Sequence, residues 1–352
     1  MSSANLTPGI PDTMTAAVLL GPGRLEVGPV PTPRMGPDEV LVAVDLCGVC
    51  GSDLHMVLEG WARPGTWQGH EWVGTVVAAG DRVSRWRPGD RVVGGPLPTC
   101  GECRACRAAR PALCESRDAA GTDDPDGAFA TYKSATADEL LALPEGLDPR
   151  AAALAEPLAV ALHAVHLAGV EPGMRVLVLG AGPIGALALA AMAAMGVQDL
   201  VCVEPAPLRQ ELARSVGARE VLVPSDLEVP SIAEPQRIVS GAVDVVLECS
   251  GAASAMEAGL AQLVRGGTLV LVGAGIEPPR FDPNRILLNE LVITGAFTYD
   301  DGGFVEALGL LSSGLLPVEQ LLEPGEVDLD GLLDAMRDLA GGRLAGKVLV
   351  RP

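Results

Sequence analysis

The chain has 352 residues, of which 48% are hydrophobic and 20% charged, and its formal net charge is −20. This length and composition exclude a disordered protein and predict two globular domains with a substantial core. A surface this acidic repels phosphate backbones and anionic lipids, so we expect neither nucleic acid nor a membrane as a partner. The first residues, MSSANLTPGIPDTM, lack the features of a secretion signal, and we expect a cytoplasmic protein with reduced thiols.

The first 150 residues are rich in glycine and proline and contain short β-type runs. The segments EVLVAVDL, EWVGTVVAAG and DRVVGG are separated by turn residues, which predicts a small β-rich domain. After about residue 172, apolar strands such as MRVLVLG, DLVCVE, VDVVLECSG, TLVLVG and LVITGAF alternate with helix-like segments. This alternation predicts a parallel sheet covered by helices on both faces. The chain ends in GKVLVRP, a predicted strand that we expect to rejoin the first domain.

The uncharged run at residues 176–197, VLVLGAGPIGALALAAMAAMGV, is long enough to span a bilayer. Its early glycines and proline favour a strand, a turn and a helix instead. Gly180, Gly182 and Gly185 have the G-x-G-x-x-G spacing between a strand and a helix, the context in which this motif binds dinucleotides. The first glycine allows the tight turn, the second lets a pyrophosphate approach, and the third lets the helix pack closely.

An acidic residue follows at the end of the next predicted strand. Glu204 lies 19 residues after Gly185, where a carboxylate can hydrogen-bond a ribose 2′-hydroxyl. A carboxylate would repel a 2′-phosphate, so NAD is favoured over NADP, although the nearby Arg209 keeps NADP open. The alternative is a glycine turn that only packs a helix on a sheet. The predicted cofactor-binding residues are Gly180, Gly182, Pro183, Ile184, Gly185, Glu204 and Arg209.

Half of the eight cysteines lie in one segment, CGECRACRAARPALC. Cys100, Cys103, Cys106 and Cys114 follow the spacing C-x2-C-x2-C-x7-C, which suits tetrahedral zinc. Four protein ligands leave no position for substrate, so such a site would be structural. An iron–sulfur cluster is the nearest alternative, because ferredoxins share the opening spacing. Disulfides and a redox pair are less favoured.

Three further segments complete a recognisable set: CGVCGSDLH (residues 47–55), GHEWVG (residues 69–74) and EPLAVALH (residues 156–163). With the four-cysteine segment, GAGPIG and ECSGA, they occur in the order found in the zinc-dependent medium-chain dehydrogenase/reductase family, the alcohol dehydrogenase superfamily. The chain resembles that family over nearly its full length. It is most similar to the polyol branch, which includes sorbitol and threonine dehydrogenases.

The resemblance implies an α/β fold: a Rossmann-type doubly wound parallel sheet plus a GroES-like, β-rich catalytic domain with a structural zinc lobe. The expected boundaries are 1–158 for the catalytic domain, with the lobe at about 96–118, 159–297 for the NAD-binding domain, and 298–352 for the return to the catalytic domain. The resemblance also implies two Zn²⁺ ions per subunit, one catalytic and one structural, and a homodimer or homotetramer.

The resemblance also assigns roles to individual residues. Cys50, His70 and Glu156 match the ligands of the catalytic zinc, and Glu71 matches a glutamate that lies beside the metal or moves onto it. Ser52 and His55 match a proton relay. Asp53 is expected to support the metal site without binding it. His163 and His166 lie on a predicted helix and are expected to be structural.

These ligands suit alcohol oxidation. Cysteine, histidine and a carboxylate leave one open position on zinc, where an alcohol loses its proton near neutral pH and the alkoxide passes a hydride to the nicotinamide. We therefore predict an NAD-linked dehydrogenase that interconverts a secondary alcohol, polyols among them, and its ketone. A zinc-free enone or quinone reductase and a catalytically silent NAD- or zinc-binding protein are the alternatives.

The predicted substrate pocket departs from sorbitol dehydrogenases. Thr298 stands where they have an arginine, and Met56 stands where they have a tyrosine. The loss of a cation and a phenol favours a more apolar pocket and does not require a sugar alcohol. The predicted pocket residues are Met56, Trp61, Phe297 and Thr298, with Trp67 as a further aromatic neighbour.

Overall fold

Two β-sheets of different character organise the computed structural model, which describes residues 9–94, 99–116 and 127–352. In chain order its strands are β1 (Thr13–Gly21), β2 (Arg24–Pro31), β3 (Glu39–Gly48), β4 (Glu71–Ala79), β5 (Arg91–Gly94), β6 (Tyr132–Thr136), β7 (Leu140–Ala142), β8 (Arg175–Leu179), β9 (Asp199–Val203), β10 (Glu220–Leu222), β11 (Val243–Glu248), β12 (Leu263–Leu271), β13 (Val292–Gly295), β14 (Val327–Asp328) and β15 (Leu349–Arg351).

The helices of the described residues connect and cover these strands. They are α1 (Gly51–Leu58), α2 (Arg104–Arg107), α3 (Pro149–Ala152), α4 (Ala155–Leu167), α5 (Pro183–Ala194), α6 (Pro207–Ser215), α7 (Ala253–Ala261), α8 (Pro283–Asn289), α9 (Gly303–Ser312), α10 (Val318–Leu321) and α11 (Leu332–Ala340). Short 3₁₀ turns occur at Pro111–Leu113, Ala137–Glu139 and Pro224–Asp226.

The first sheet builds the catalytic domain. Its strand order is β14-β15-β3-β4-β5-β7, and β6 pairs with β3. The three β-type runs of the sequence form β3, β4 and β5, as predicted, and the C-terminal segment does return: Val350 of β15 pairs antiparallel with Cys47 of β3. The hairpin β1–β2 was not predicted, because half of β2 is exposed and it contains a glycine and two prolines.

The second sheet is parallel throughout, with the order β10-β9-β8-β11-β12-β13. This is the doubly wound Rossmann order, in which the chain reverses direction across the sheet between β8 and β11. Ligands of such sheets bind beyond the carboxyl ends of the strands at that switch point. The fold therefore confirms the predicted α/β class and places the glycine turn after β8 at the expected crevice.

The uncharged run at residues 176–197 contributes β8 and α5, joined by the glycine turn. Both elements are buried within the nucleotide domain because the parallel sheet is covered on both faces. Among the residues that the structure describes, no helix combines the length and the apolar composition that crossing a bilayer requires.

Helix α4 lies where the two domains meet. It packs against α5 and α9 and also contacts β4 of the catalytic sheet. One core cluster therefore contains Leu158 and Leu162 of α4 together with Val73 of the catalytic sheet and Leu187 of α5. Within 298–352, α9 packs on α4, whereas β14 and β15 join the catalytic sheet. The exact domain boundaries stay predictions, and the ends of the predicted lobe, at 96–98 and 117–118, lie outside the described residues.

Candidate active site

The pairing of β3 with β4 brings the predicted ligands Cys50 and His70 together, although they are twenty residues apart in the chain.

 Gly48, at the end of β3, is opposite Glu71, the first residue of β4. Cys50 follows β3 as the N-cap of α1, and His70 directly precedes β4. The ligand atoms of Cys50, His70 and Glu71 all lie within 4.8 Å of one another. The structure thus brings three of the predicted metal-site residues to one point.

Glu156 lies in the first turn of α4 and is buried beside this group. Burial raises its pKa to about 7; the charge of His70 acts to lower it, and that of Glu71 to raise it further. The carboxylate within 4.8 Å of Cys50 and His70 is that of Glu71, not that of Glu156. Glu71 therefore belongs to the ligand cluster, Glu156 is close enough to feel its charges, and the choice of Glu156 as the third ligand stays a prediction.

Lys347 was not predicted as a site residue. Its side chain is 1% exposed, and its Nζ lies 2.6 Å from Glu71 Oε1 and donates to the Val49 carbonyl at 3.0 Å. Burial acts to lower the pKa of Lys347, but the charges of Glu71 and Cys50 outweigh it, so the pKa is raised and the ammonium stays charged. A lysine directly before an apolar C-terminal strand was the only sequence signal for it.

Asp53 supports the two other ligands. Its Oδ2 accepts a hydrogen bond from the Cys50 backbone N–H at 2.8 Å, and its Oδ1 lies 3.7 Å from His70 Nδ1. Burial raises the pKa of Asp53, whereas the His70 charge and the Cys50 N–H oppose that rise. The structure therefore places the Asp53 carboxylate beside the imidazole, the position expected of a group behind a metal ligand.

The charges of this site fit a divalent cation. Two buried carboxylate oxygens, Asp53 Oδ1 and Glu71 Oε2, accept no hydrogen bond from the described residues. Burying uncompensated negative charge is costly, and a metal ion offsets that cost. One sulfur, one imidazole and carboxylate oxygens are ligands that zinc prefers. The residues at this site therefore fit the catalytic zinc that the resemblance implies.

The predicted relay residues lie on α1. Ser52 is one turn before His55, whose Nδ1 is 2.9 Å from Glu59 Oε1. The His55 ring stacks on Trp61 with 4.7 Å between ring centroids and 16° between ring planes. The side chains of His55 and Glu59 are 25% and 40% exposed, so this pair connects α1 to solvent. Glu59 was not predicted, although its i,i+4 spacing from His55 is a recognisable signal.

The predicted pocket residues occupy different environments. Met56 is 7% exposed and belongs to the core of the catalytic domain, and Trp67 is also packed in a core cluster. Trp61 is exposed and covers His55. Phe297 is 39% exposed, and the neighbouring Thr298 has a left-handed backbone with φ of 49°. These placements favour packing for Met56 and Trp67, and the pocket roles of the others stay predictions.

Tyr299 is a further aromatic residue near the site that sequence reasoning missed. It is buried, and its ring meets Phe304 edge-on with centroids 5.7 Å apart. Burial raises the pKa of Tyr299 well above its usual value, and the charge of Glu156 raises it further. The hydroxyl therefore lies within electrostatic reach of Glu156. A tyrosine in an otherwise irregular segment gave no sequence signal for this burial near Glu156.

The glycine turn has the geometry that the motif requires. Gly180 has φ of 92°, which suits the tight turn. A Cβ on Gly185 would lie 1.9 Å from the Gly180 carbonyl oxygen, whereas a Cβ on Gly182 would meet no atom within 4 Å. Gly182 thus leaves open space in front of the α5 N-terminus, which begins with Pro183 and Ile184. A helix N-terminus of this kind attracts phosphate.

Glu204 and Arg209 differ in their availability at this turn. Glu204 follows β9 and is buried, and its carboxylate accepts hydrogen bonds from the Ala181 and Ala206 backbone N–H groups, both at 2.8 Å. The acid predicted to contact ribose therefore touches the glycine turn itself. The Arg209 guanidinium instead donates to the carbonyls of Leu339 at 2.7 Å and Leu344 at 3.3 Å, which tie it to the catalytic domain.

The four close cysteines form a second metal-binding group, with ligand atoms within 4.8 Å of one another. The Cys100 sulfur lies 4.0 Å from that of Cys106 and 3.6 Å from that of Cys114. Zinc–sulfur bonds of about 2.3 Å in a tetrahedron separate the sulfurs by about 3.8 Å. Backbone N–H groups of Cys106 and Glu115 lower the pKa of Cys103 to about 6, which favours the thiolate. The group therefore fits a single cation held by four sulfurs.

Family models of known proteins match regions in both domains of this chain. Residues 36–145 match the alcohol dehydrogenase GroES-like domain, and residues 183–313 match the zinc-binding dehydrogenase family. Together the two matches cover more than half of the chain. The protein belongs to the zinc-binding, medium-chain alcohol dehydrogenase family, as the sequence motifs predicted.

Individual relatives narrow the branch. The chain is 34% identical to sorbitol dehydrogenase of Bacillus subtilis (strain 168), over 99% of both proteins. Its structure is similar to that of 2R,3R-butanediol dehydrogenase from Bacillus subtilis, with a TM-score of 0.84, 31% identity and coverage of 96% and 99%. A protein from Sinorhizobium meliloti 1021, solved bound to NADP, gives a TM-score of 0.83, 33% identity and coverage of 97% and 99%. These relatives support the polyol branch.

Proposed function

We propose that this protein is a zinc-dependent, NAD-linked dehydrogenase that interconverts a secondary alcohol, polyols among them, and its ketone. The observation that carries the proposal is the convergence of Cys50, His70 and Glu71 within 4.8 Å, with Glu156 buried beside them. A zinc-free reductase has no use for this ligand set, and a silent binding protein has no use for the adjoining relay.

The chain's own residues hold and tune the metal. When bound, zinc supplies a Lewis acid that favours the deprotonated alcohol, and NAD⁺ accepts the hydride. Cys50, His70 and the carboxylate of Glu71 or Glu156 would hold the zinc. Lys347 pairs with Glu71 at 2.6 Å and limits the negative charge that the metal meets. Asp53 keeps the His70 imidazole oriented.

The proton released from the alcohol leaves along α1. Ser52 accepts it first in this scheme, and His55 passes it towards solvent. Glu59 Oε1 lies 2.9 Å from His55 Nδ1, so the carboxylate faces one edge of the imidazole and stabilises its charged form. Trp61 holds the imidazole plane by stacking. This arrangement satisfies the geometric requirement that a proton carrier be oriented by a further group.

NAD is the proposed cofactor in preference to NADP. Glu204 presents a buried carboxylate at the glycine turn, and such a group repels a 2′-phosphate. Arg209, the nearby cation that could bind that phosphate, is engaged by two carbonyl groups of the catalytic domain. The NADP-bound relative from Sinorhizobium meliloti shows that the family also accommodates NADP, so the assay below includes both cofactors.

The proposed substrate is a secondary alcohol less polar than a hexitol. Sorbitol and 2R,3R-butanediol dehydrogenases among the relatives support a vicinal diol or polyol, whereas Thr298 removes the cation suited to long polyols. An assay of sorbitol, 2,3-butanediol and 2-octanol with NAD⁺ or NADP⁺ tests this. We expect faster turnover of 2,3-butanediol or 2-octanol, and faster turnover with NAD⁺.

Two results would contradict the proposal. Oxidation of the alcohols by the Cys50→Ala variant at the wild-type rate would remove the catalytic zinc from the mechanism. Reduction of an enone by the wild type without any alcohol oxidation would favour a zinc-free reductase. A strong preference for sorbitol would contradict only the proposal that the substrate is less polar than a hexitol.

We also propose that the protein forms homodimers or homotetramers. β13 is an edge strand of the parallel sheet, and Val292 on it is exposed together with Leu287 and Leu288 of α8. An apolar sheet edge pairs readily with another chain. Light scattering after gel filtration should give at least twice the subunit mass, and Val292→Lys should lower it. A monomeric wild type would contradict this. The cytoplasmic location stays a prediction.

A further inference from the structure

The four-cysteine segment contacts residues 297–303, called here the 297–303 loop, which follow β13 and include the first residue of α9. Arg110, between Cys106 and Cys114, forms an ion pair with Asp300 of that loop. The Asp301 backbone N–H donates to the Ala109 carbonyl at 3.4 Å. Ala109 and Arg110 lie between Cys106 and Cys114, so a metal held by the four cysteines would also hold these contacts in place.

Asp300 is also held from the opposite side. His163 of α4 is buried, and its Nδ1 lies 3.8 Å from Asp300 Oδ2. The second oxygen, Oδ1, is buried and accepts no hydrogen bond from the described residues. The carboxylate therefore sits between the four-cysteine segment and the helix that carries Glu156. The Asp300 side chain is 23% exposed, but its unsatisfied oxygen is buried, which makes the carboxylate depend on its cationic partner.

The backbone on both sides of this contact is strained. In the described residues three non-glycine residues have positive φ, and two of them are Ala109 at 56° and Thr298 at 49°. A β-branched residue such as threonine is especially unfavourable in this region. Such conformations persist only where the surrounding structure holds them, and they concentrate at functional sites. The contact through Asp300 is one tertiary restraint close to Thr298.

The 297–303 loop packs beside the helix that carries Glu156. It contains Phe297 and Thr298, two predicted pocket residues. Its Tyr299 is buried in the same core cluster as Leu158 of α4. A shift of this loop would therefore move the wall of the substrate site while leaving Cys50 and His70 in place. Displacements of about 1 Å at such a wall are enough to weaken productive binding.

We propose that Asp300 is a positioning residue, which through its ion pair with Arg110 fixes the 297–303 loop against the four-cysteine segment and so sets the affinity for the alcohol. The structural metal segment then serves substrate binding as well as stability. The link to alcohol affinity rests on the proposed dehydrogenase function. The anchoring of the loop does not, and it can be measured without substrate.

The test compares Arg110→Gln, Asp300→Asn and the double variant with the wild type as the full-length, zinc-loaded protein. Glu306→Gln is the matched control, since Glu306 pairs with the exposed His166 at the surface near the same loop. Hydrogen–deuterium exchange reports the amides at 299–303, and steady-state kinetics report KM and kcat for whichever of sorbitol, 2,3-butanediol and 2-octanol the wild type oxidises fastest.

Each single variant should speed exchange at 299–303 about tenfold and raise KM for the alcohol about tenfold, with kcat within about threefold and KM for NAD⁺ unchanged. The double variant should be no worse than either single variant, because both remove the same ion pair. Arg110→Lys should recover part of the loss, and Glu306→Gln should resemble the wild type.

Unchanged exchange and unchanged KM in both single variants would overturn the proposal, as would equal effects from Glu306→Gln. If Arg110→Gln loses metal or fails to fold, Asp300→Asn decides, because that change lies outside the cysteine segment. If the wild type oxidises none of the three alcohols, the dehydrogenase function fails. The exchange data then still establish or refute the anchoring of the loop.

Discussion

The two candidate metal sites of this molecule are built in opposite ways. All four cysteines of the structural site lie within residues 100–114, and their spacing alone brings the sulfurs together. The catalytic site draws Cys50 from the start of α1, Glu71 from β4, Glu156 from α4 and Lys347 from the last segment of the chain. A local site needs only its own segment, whereas the catalytic site needs the whole fold.

Their electrostatics differ in the same sense. The cysteine sulfurs accept hydrogen bonds from backbone N–H groups of their own segment. The Cys103 N–H, for example, donates to Cys100 Sγ at 3.3 Å. The catalytic site instead buries Asp53, Glu71 and Glu156 together, with Lys347 as the buried ammonium beside them. The first site can bind a cation and stay inert. The second brings three ligand atoms within 4.8 Å of one another, so a tetrahedral cation there keeps one open position for chemistry.

The largest expected effect separates the two sites by their metal. Cys50→Ala should lower zinc from two ions per subunit to one and reduce kcat by roughly a thousandfold or more, since the metal's contribution is several kcal/mol. Cys103→Ser should remove the other zinc and lower thermal stability while the catalytic zinc remains. Metal analysis and alcohol oxidation measure both. One zinc in the wild type and in Cys50→Ala would mean that the catalytic site holds no metal.

The next effect tests the dependence of the catalytic site on the distant end of the chain. Lys347→Met leaves the Glu71 carboxylate buried without its partner and should cost about 3–5 kcal/mol in the free energy of unfolding. Urea titration of the zinc-free protein measures this loss. Lys347→Arg should lose less, and adding Glu71→Gln to Lys347→Met should recover part of the stability. A loss below about 1 kcal/mol would place this pair with ordinary surface ion pairs.

How much the sequence could predict follows from the same contrast. The four-cysteine site and the glycine turn were predictable because each lies in one segment whose spacing dictates the geometry. Cys50 and His70 were assigned by resemblance, and the pairing of β3 with β4 explains why they meet. Lys347 could not be predicted, because its partner Glu71 is 276 residues away and only the pairing of β15 with β3 brings them together.

Other details also depended on tertiary packing. Met56 and Trp67 resemble pocket residues in the sequence, but the catalytic domain uses both in its core. Arg209 has the spacing of a cofactor contact, yet carbonyl groups at the end of α11 and beyond it occupy its guanidinium. Apolar or basic character alone does not distinguish a binding surface from an interior contact. The burial of Tyr299 could not be predicted from the sequence, because it depends on the path of the 297–303 loop.

A third test uses the burial of the catalytic carboxylates. In the zinc-free protein, burial raises the pKa of Glu156 to about 7 from an ordinary value of 4.5. The folded state therefore holds this proton more tightly than the unfolded state, so Glu156 adds stability below pH 4.5 and loses that contribution as the pH rises through 7. The full change is roughly 3 kcal/mol. Asp53, whose pKa is also raised by burial, acts in the same direction.

Urea titrations of the zinc-free protein from pH 4 to 8 measure this dependence. The free energy of unfolding should fall with rising pH in the wild type, and the slope should be smaller in Glu156→Gln. Glu145→Gln, which removes an exposed carboxylate, is the control and should keep the wild-type slope. An equal slope in Glu156→Gln would show that Glu156 is not the group that titrates.

A smaller effect on kcat is expected from changes to the proposed proton path of the catalytic site. The four-cysteine site performs no chemistry and needs no such path. His55→Gln should lower kcat by about a hundredfold, the lower range for loss of a proton carrier. Glu59→Gln should lower kcat by only about tenfold, because the imidazole remains but is less well oriented. Added imidazole should restore part of the activity of His55→Gln. Asp334→Asn on α11 is the surface control, and absence of imidazole rescue would argue against the relay.

The smallest expected effect lies at Thr298, between the two sites. Arginine at this position would return to the pocket the cation that sorbitol dehydrogenases have, and it would relieve the β-branched strain at φ of 49°. One charge-assisted hydrogen bond to a polyol, weakened by solvent, should lower KM for sorbitol by about fivefold in Thr298→Arg. Thr298→Met, of similar length without the charge, should leave it unchanged. Equal KM values for sorbitol in Thr298→Arg and Thr298→Met would mean that the 297–303 loop shapes the pocket by its position alone. The anchor of that loop on the four-cysteine segment would then be the stronger determinant of substrate affinity.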